Sequence, residues 1–487
     1  MSLTEVQSVH STRLESLHHT NLSSISVRAA LAPPSDQDGG GLRKVHINKG
    51  DIEMAQLPGP PIGSSGSTRN TAEGITPLDT VSTHQKQKPS SAKSAAFIQF
   101  AVLCWTLFLA GWNDGTTGPL LPRIQENYHV GYAIVSLLFV FGCLGCIGGA
   151  LANVHLTEKL GLGKTLVLGC LSQLVGYALM APAPPFPVFV LGYVFNSFGL
   201  SLQDAGANGY VASLKDNAET KMGVIHAAYG IGALIAPLPA TQFSNMPRWS
   251  FQYLISVGIA ISNLIALIAV FRGRRQDECL ADIGQTPTES ASSDENKYRQ
   301  IFRLREVHVL ALFALIYVGV EVTIAGWSVT YILNVRGGGK NSGYVSSGFF
   351  GGLTFGRVAL LPLNKKIGER NAVFIYTVLA IALEFIIWFV PSLTGGAVAV
   401  SFIGVFLGPI YPLLMNHSGR ILPHWLLTGS IGWIGGVGAA GSAFVPFITG
   451  ALASKEGIAA LQPLMIAMMA AMFLLWALVP SLPRRVD

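Results

Sequence analysis

Charge is scarce in this chain. Asp, Glu, Lys and Arg make up only 12% of it, about half of what a soluble globular domain carries. That excludes an ordinary water-soluble enzyme or binding domain. Cysteine is scarce too. The five present (Cys104, Cys143, Cys146, Cys170 and Cys279) are odd in number with none in an evident outer loop, so no disulfide framework is expected. Cys143 and Cys146 form a CxxC, but with no second ligand pair they read as small residues that let helices pack closely. A Walker motif, a GxSxG elbow, a Cys/His pairing and a metal constellation are all missing. ATP-driven work and enzyme chemistry are therefore not expected, nor is any metal or organic cofactor. The net charge of +6 sits in loops, without a basic face or interleaved aromatics, which argues against nucleic acid and for charges that orient a membrane protein. The N-terminal segment has no apolar core of a cleavable signal peptide.

What the chain has is apolar length, with half of its residues hydrophobic. Residues 1–94 are rich in Ser, Pro, Gly, Gln and His and lack an apolar period, so a disordered cytoplasmic tail is expected. Runs of roughly 20 apolar residues follow, the length that crosses a bilayer as a helix. Six fall near 96–118, 132–153, 165–183, 187–212, 222–241 and 251–271. A polar linker occupies 272–306. Six more runs lie near 307–334, 343–363, 371–390, 395–415, 426–450 and 458–479. The fold class expected is an all-α membrane protein with twelve transmembrane helices in two pseudo-symmetric six-helix bundles. Its domains are 95–271 and 307–480, followed by a cytoplasmic C-terminus at 481–487. With the tail inside, short inner loops and the C-terminus hold ten Lys and Arg residues against five in the outer loops. That bias places both termini in the cytoplasm.

The chain also repeats itself. Asp114 and Glu321 each interrupt the first apolar span of a half, 207 positions apart. Gly161 and Gly368, each after a basic inner loop, keep the same offset, and Asp204 maps onto Tyr411 by it. Gly232 and Pro237 match Gly441 and Pro446 at an offset of 209. An internal repeat in a polytopic membrane protein points to alternating access about a central site.

Acids in hydrocarbon are costly and mark functional positions. Asp114 sits beside Asn113 in GWNDGTTGP, whose Gly and Pro predict an irregular helix end that can bind ligand or water. A carboxyl in low dielectric favours its neutral form, which suits it to take up and release a proton. On the fourth span Ser197, Ser201, Asp204 and Asn208 recur at helical spacing and share one face, with Gln203 beside Asp204. Tyr317, Glu321, Ser328 and Tyr331 share a face of the seventh span, flanked by Trp327; an aromatic among polar groups is a usual wall for a sugar-like or amphipathic ligand. His226 opens the fifth span and is either a proton shuttle or a hydrogen-bonded core or interface histidine. Arg357 reads as snorkelling toward the inner surface, with Glu384 a candidate partner. Two inner loops carry Glu158, Lys159 and Gly161, and Lys366, Gly368 and Arg370. There a glycine permits a tight turn and the charges can bridge helix ends as a gate.

These loops resemble the loop signature of the major facilitator superfamily. Glu158, Lys159, Gly161 and Lys164 match the first copy; Lys366, Gly368 and Arg370 match the second, where Lys365 stands in place of the expected acid. GWNDGTTGPLLP, the segment from Gln203 to Asn208, HAAYGIGALIAP and GVEVTIAGW further resemble the fungal branch of the fucose-permease-like group, over residues 95–480. The resemblance implies that Asp114 and Asp204, on spans one and four, serve sugar and proton. Asp204 stands where that group's sugar carrier has Glu, so proton chemistry carries over more readily than sugar identity.

The function expected is secondary active transport of a small solute, coupled to protons. A proton moving inward down 100 mV supplies about 2.3 kcal/mol. Asp204 is the expected proton carrier; Asn113, Asp114, Glu321, Trp327 and Tyr331 are the expected solute region. The rivals are a proton-driven exporter of drugs or secondary metabolites, and a transporter-like sensor that signals through the tail. A monomer in the plasma or vacuolar membrane is expected.

Overall fold

The computed structural model describes residues 89–285, 299–423 and 426–481. The expected tail falls outside the described residues up to position 88. Apolar composition becomes helix almost throughout, because a chain in hydrocarbon must satisfy its own backbone polar groups. Among the described residues, 11 helices are long and apolar enough to cross a membrane. Spans one to six are Ala92–Tyr128, Tyr132–Leu160, Leu162–Met180, Phe186–Ala212, Thr220–Ser244 and Trp249–Phe271. Span seven is Arg305–Arg336, and spans nine to twelve are Glu369–Phe389, Leu393–Ile421, Gly429–Glu456 and Ile458–Leu478. Between spans seven and nine lies Tyr344–Ala359, a helix of 16 residues continued by Leu361–Ile367. It completes twelve as span eight. A short helix, Gln276–Asp282, follows span six.

One local expectation is overturned. The helix of span one starts at Pro89 and does not end near Pro119; it runs to Tyr128 with Pro119 and Pro122 inside it. Its glycines serve contact rather than termination. A Cβ built at Gly115 would lie 2.5 Å from the Ala233 carbonyl oxygen of span five, and one at Gly118 would lie 2.3 Å from that of Ala325 in span seven. Side chains at these positions would push the helices apart.

The duplication extends to these seams. A Cβ at Gly145 would lie 2.4 Å from the Val194 carbonyl oxygen, and one at Gly149 would lie 2.6 Å from that of Phe198, where span two crosses span four. In the other half, Gly352 meets Ser401 and Gly356 meets Val405 in the same way, at 2.0 Å each, where span eight crosses span ten. All four residues are displaced by 207 positions from their counterparts. Gly232 against Phe108 (2.1 Å) and Gly441 against Leu315 (2.0 Å) repeat the rule for spans five on one and eleven on seven. The loop glycines repeat as well: Gly161 has φ 84, ψ 164 and Gly368 φ 82, ψ 148, left-handed values that glycine adopts without strain.

Contacts between the halves concentrate at the end carrying the loop between spans one and two. There Asn334 Nδ2 donates to the Tyr132 hydroxyl at 3.0 Å, the Ala133 amide to Ser454 Oγ at 2.9 Å, and Asn245 Nδ2 to the Lys340 carbonyl at 3.0 Å. Gln242 bonds Tyr344 at the same end. Toward the opposite end the seams widen. Span five touches span eight at Gly230 and Thr354, yet His226 one turn on is exposed, and a Cβ on Gly223 meets nothing within 4 Å. Along span eleven, Cys143 Sγ reaches the Ala439 carbonyl at 3.7 Å, while Gly436 and Gly432 face open space.

Candidate functional site

Where the halves meet, a cavity of about 200 Å³ is bounded by spans one, two, four, five, seven, eight and eleven. Its polar wall comes from Asn113, Asp114, Thr117, Ser197, Glu321 and Ser442, and its aromatic wall from Phe139, Tyr193, Tyr229 and Phe350. The two acids related by the repeat thus reach one chamber from opposite halves.

Asp114 is held by donors. The Tyr229 hydroxyl donates to its Oδ2 at 2.6 Å and Asn113 Nδ2 to its Oδ1 at 3.2 Å. Asn196 on span four donates in turn to Asn113 Oδ1. The carboxyl is therefore positioned from spans one, four and five while its surface stays open to the cavity. An ionised carboxylate only accepts hydrogen bonds, so it has lone pairs left for hydroxyls of a solute.

Glu321 is held differently. Arg357 Nη2 lies 3.9 Å from its Oε1, with the two side chains 24% and 19% exposed, and Arg357 Nε donates to the Gly408 carbonyl at 3.3 Å. Arg357 does not snorkel out of the membrane, and its partner is Glu321 rather than Glu384; Glu384 is buried in span nine. His226 on span five lies near Arg357. At this separation and partial exposure, a double-mutant cycle on Glu321→Gln and Arg357→Gln is expected to give a coupling of roughly 1 kcal/mol in thermal stability. A coupling of zero would mean that the pair is not an ion pair in the membrane.

The remaining expected residues are distributed around this centre. Asp204 does not line the cavity. It lies about two turns along span four from Ser197, accepts from Asn208 Nδ2 at 2.9 Å, and is near enough to Asp114 and Tyr411 for its charge to act on both. Gln203 turns away altogether: it is buried against span three, with Nε2 donating to the Leu166 carbonyl at 3.2 Å. Trp327 and Tyr331, expected as the aromatic wall, are not in the wall. Trp327 is fully buried behind Phe139 and Tyr132, its Nε1 donating to the Pro446 carbonyl at 3.2 Å. Tyr331 points to span nine and the Ile387 carbonyl, under Arg336. The reason is that span seven is far more enclosed by neighbouring helices than span six. Tyr317 and Tyr331 can therefore turn into their own half while Glu321 reaches the chamber.

In the loops, Glu158, Lys159 and Lys366 are exposed. Arg370 Nη2 donates to the Ala477 carbonyl at 3.2 Å and stands over the Phe374 ring. The charge bridge there belongs to Glu369 and Arg420, 3.1 Å apart. Tyr229, Asn196, Phe139 and Ser442 were not foreseen. Tyr229 carried a signal, since it follows the singled-out His226 at i+3. Cys143 and Cys146 line the cavity, as small residues on a helix that passes close to two others.

The model of the family described as Major Facilitator Superfamily matches residues 103–424, most of the membrane region. The chain belongs to the major facilitator superfamily. Membership makes it a multi-pass integral membrane protein and a secondary transporter of small solutes, not an enzyme. Among curated relatives, Bypass of stop codon protein 6 of Saccharomyces cerevisiae is 24% identical over 492 residues, covering 93% of this chain and 98% of its own. A glucose/galactose transporter of Brucella abortus is 25% identical, covering 75% and 91%. Among solved structures, the E. coli fucose:proton symporter superposes with a TM-score of 0.56 at 19% identity, covering 79% and 99%. A D-xylose-proton symporter does so with 0.66 at 12%, covering 79% and 98%. At such identities these structures carry the fold alone.

Proposed function

We propose that this transporter is a proton-coupled symporter of a small polyhydroxylated solute, a monosaccharide or close analogue, and works by alternating access. The observation that carries the reading is the chamber shared by Asp114 and Glu321, with aromatic rings among hydrogen-bonding side chains. Rings offer apolar faces to the C–H faces of a sugar, while carboxylate, amide and hydroxyl groups meet its hydroxyls. The size of the chamber supports a small solute over export of drug-sized molecules, whose pockets run to about 300–1,000 Å³. Relatives named for glucose and galactose favour the same class.

Asp114 with Asn113 is the solute group in this scheme. Asp204, outside the chamber but within electrostatic reach of Asp114, is the proton carrier. Glu321 and Arg357 form the charge pair that the second half rearranges as the seams open and close. The described state is open toward the end bearing the loop between spans two and three, which the positive-inside bias places in the cytoplasm along with both termini. The proton gradient supplies the energy, no organic cofactor takes part, and a single chain holds a complete chamber.

The test is transport in proteoliposomes with labelled monosaccharides. Acidifying the outside is expected to raise accumulation of the solute, whereas an exporter would extrude it. Asp204→Asn is expected to abolish pH-driven accumulation yet keep exchange of labelled for unlabelled solute. If that variant still accumulates solute under an imposed pH gradient, Asp204 does not carry the proton.

A further inference from the structure

Away from the central chamber, spans three and six leave a groove of about 350 Å³ on the outer surface of the first half. Leu160, Val167, Leu168, Leu171 and Ile268 line it, and its loop end is closed by Lys164 and Gly273. The two walls share one pattern. On span three, Lys164, Leu168 and Leu171 fall at i, i+4 and i+7, and on span six Ile268 and Arg272 fall at i and i+4, so each helix face passes from apolar to basic as it leaves the membrane region.

The basic end is held in place. A Cβ at Gly273 would lie 3.2 Å from Lys164 Cγ and 3.4 Å from its Cε, so the stem of Lys164 lies along a backbone that carries no side chain. Gly273 has φ +66, which suits glycine, but its neighbour Arg272 has φ +48, a value that costs a non-glycine residue energy. That turn presents an exposed guanidinium one residue before Gly273, which lines the groove, its Nε donating to the Ala269 carbonyl at 3.3 Å. Arg274, by contrast, is neutralised by Asp282. The nearby acids Glu158, Asp277 and Glu278 are exposed on the loop and on the short helix after span six, and the Arg275 amide caps onto Glu278. Two exposed cations thus flank the loop end of a groove whose other walls are hydrocarbon: Lys164 in its lining and Arg272 next to the lining residue Gly273, with the exposed Arg275 packed against Gly161 nearby.

We infer that this groove is a binding site for one anionic phospholipid, with an acyl chain along spans three and six and the headgroup phosphate between Lys164 and Arg272. A lysine whose stem lies along the protein surface delivers its ammonium to the headgroup layer. The cytoplasmic leaflet is the anionic one, and this is the end of the bundle that the charge bias places inside.

The experiment uses the full-length chain purified in detergent, with native mass spectrometry to count retained lipids and thermal unfolding to read their effect. Phosphatidylglycerol is expected to be retained and to raise the melting temperature, phosphatidylcholine much less, and soluble glycerol phosphate not at all. Lys164→Gln and Arg272→Gln should each weaken phosphatidylglycerol binding about fivefold, since a basic residue at the surface contributes about that factor. Leu168→Trp should displace the lipid by filling the groove while leaving both cations in place. Equal retention of phosphatidylcholine, unchanged binding in both Gln variants, or an equal effect from glycerol phosphate would each overturn the proposal. The last result would reveal a free phosphate site rather than a lipid site.

Discussion

The Asp114→Asn protein is expected to bind its solute roughly 10- to 150-fold more weakly, because a hydrogen bond to a charged group contributes about 1.5–3 kcal/mol. The geometry makes the argument sharper than loss of charge alone. Both groups that now hold the carboxylate, the Tyr229 hydroxyl and the Asn113 amide, act as donors. An Asn side chain can accept from only one of them with its oxygen and must point its own NH₂ at the other. The variant therefore loses the charge and also tilts the group that should meet the solute. Tyr229→Phe keeps the charge but frees the carboxyl to rotate. Its expected loss is smaller, about tenfold, as befits a positioning residue. Solute titration monitored calorimetrically measures both. An Asp114→Asn affinity within twofold of the parent protein would remove Asp114 from the site.

A second large effect concerns stability and reverses a familiar sign. In an ordinary helix, Gly→Ala stabilises by roughly 0.5–1 kcal/mol through backbone entropy. At Gly352 and Gly441 the added methyl would lie 2.0 Å from a backbone carbonyl oxygen of the neighbouring helix. No flexible side-chain end is there to yield, so whole helices must separate. Overpacking of this kind costs about 1–3 kcal/mol for Ala and more for Leu. Set against a total stability of roughly 5–15 kcal/mol, Gly352→Leu or Gly441→Leu should leave little monodisperse protein. Gly258→Ala is the matched control, because a Cβ there meets nothing within 4 Å. That variant should melt at the parent temperature or above it. Thermal unfolding followed by size-exclusion fluorescence separates the cases, and the seam argument fails if Gly441→Ala melts higher than the parent.

Much of this was legible because the chain is duplicated and its solvent is a bilayer. Hydrocarbon demands helices, and length and apolarity then locate most of them to within a few residues; span one runs on through its Gly and Pro, and spans two, ten and eleven run on to Leu160, Ile421 and Glu456. The Gly and Pro of span one imitate a helix terminus, and only the approach of spans five and seven at Gly115 and Gly118 shows that they serve contact. The acids were legible for the same reason: each is expensive, so each has a reason to be there. Asp114 and Glu321 do meet in one chamber. Their partners were not legible. Arg357 reaches Glu321 from another helix 36 positions away, and Tyr229 reaches Asp114 across 115. No local periodicity records such pairings.

Trp327 marks the boundary between the two kinds of knowledge. Helical spacing groups Tyr317, Glu321, Ser328 and Tyr331 on one face. It does not tell what the face looks at. In span seven, neighbours surround the helix on nearly every side, so Tyr317 turns to the Leu407 carbonyl, Tyr331 to that of Ile387, and Trp327 hides behind Phe139. By itself, the sequence determined that this is a duplicated bundle of membrane helices with acids at its centre, because composition, spacing and repeat offset are properties of the chain alone. Only the tertiary structure decided which rings form the wall, which cation answers Glu321 and where the seams part. Those depend on the rotation of each helix about its axis, and that rotation is set by where glycine lets another backbone approach.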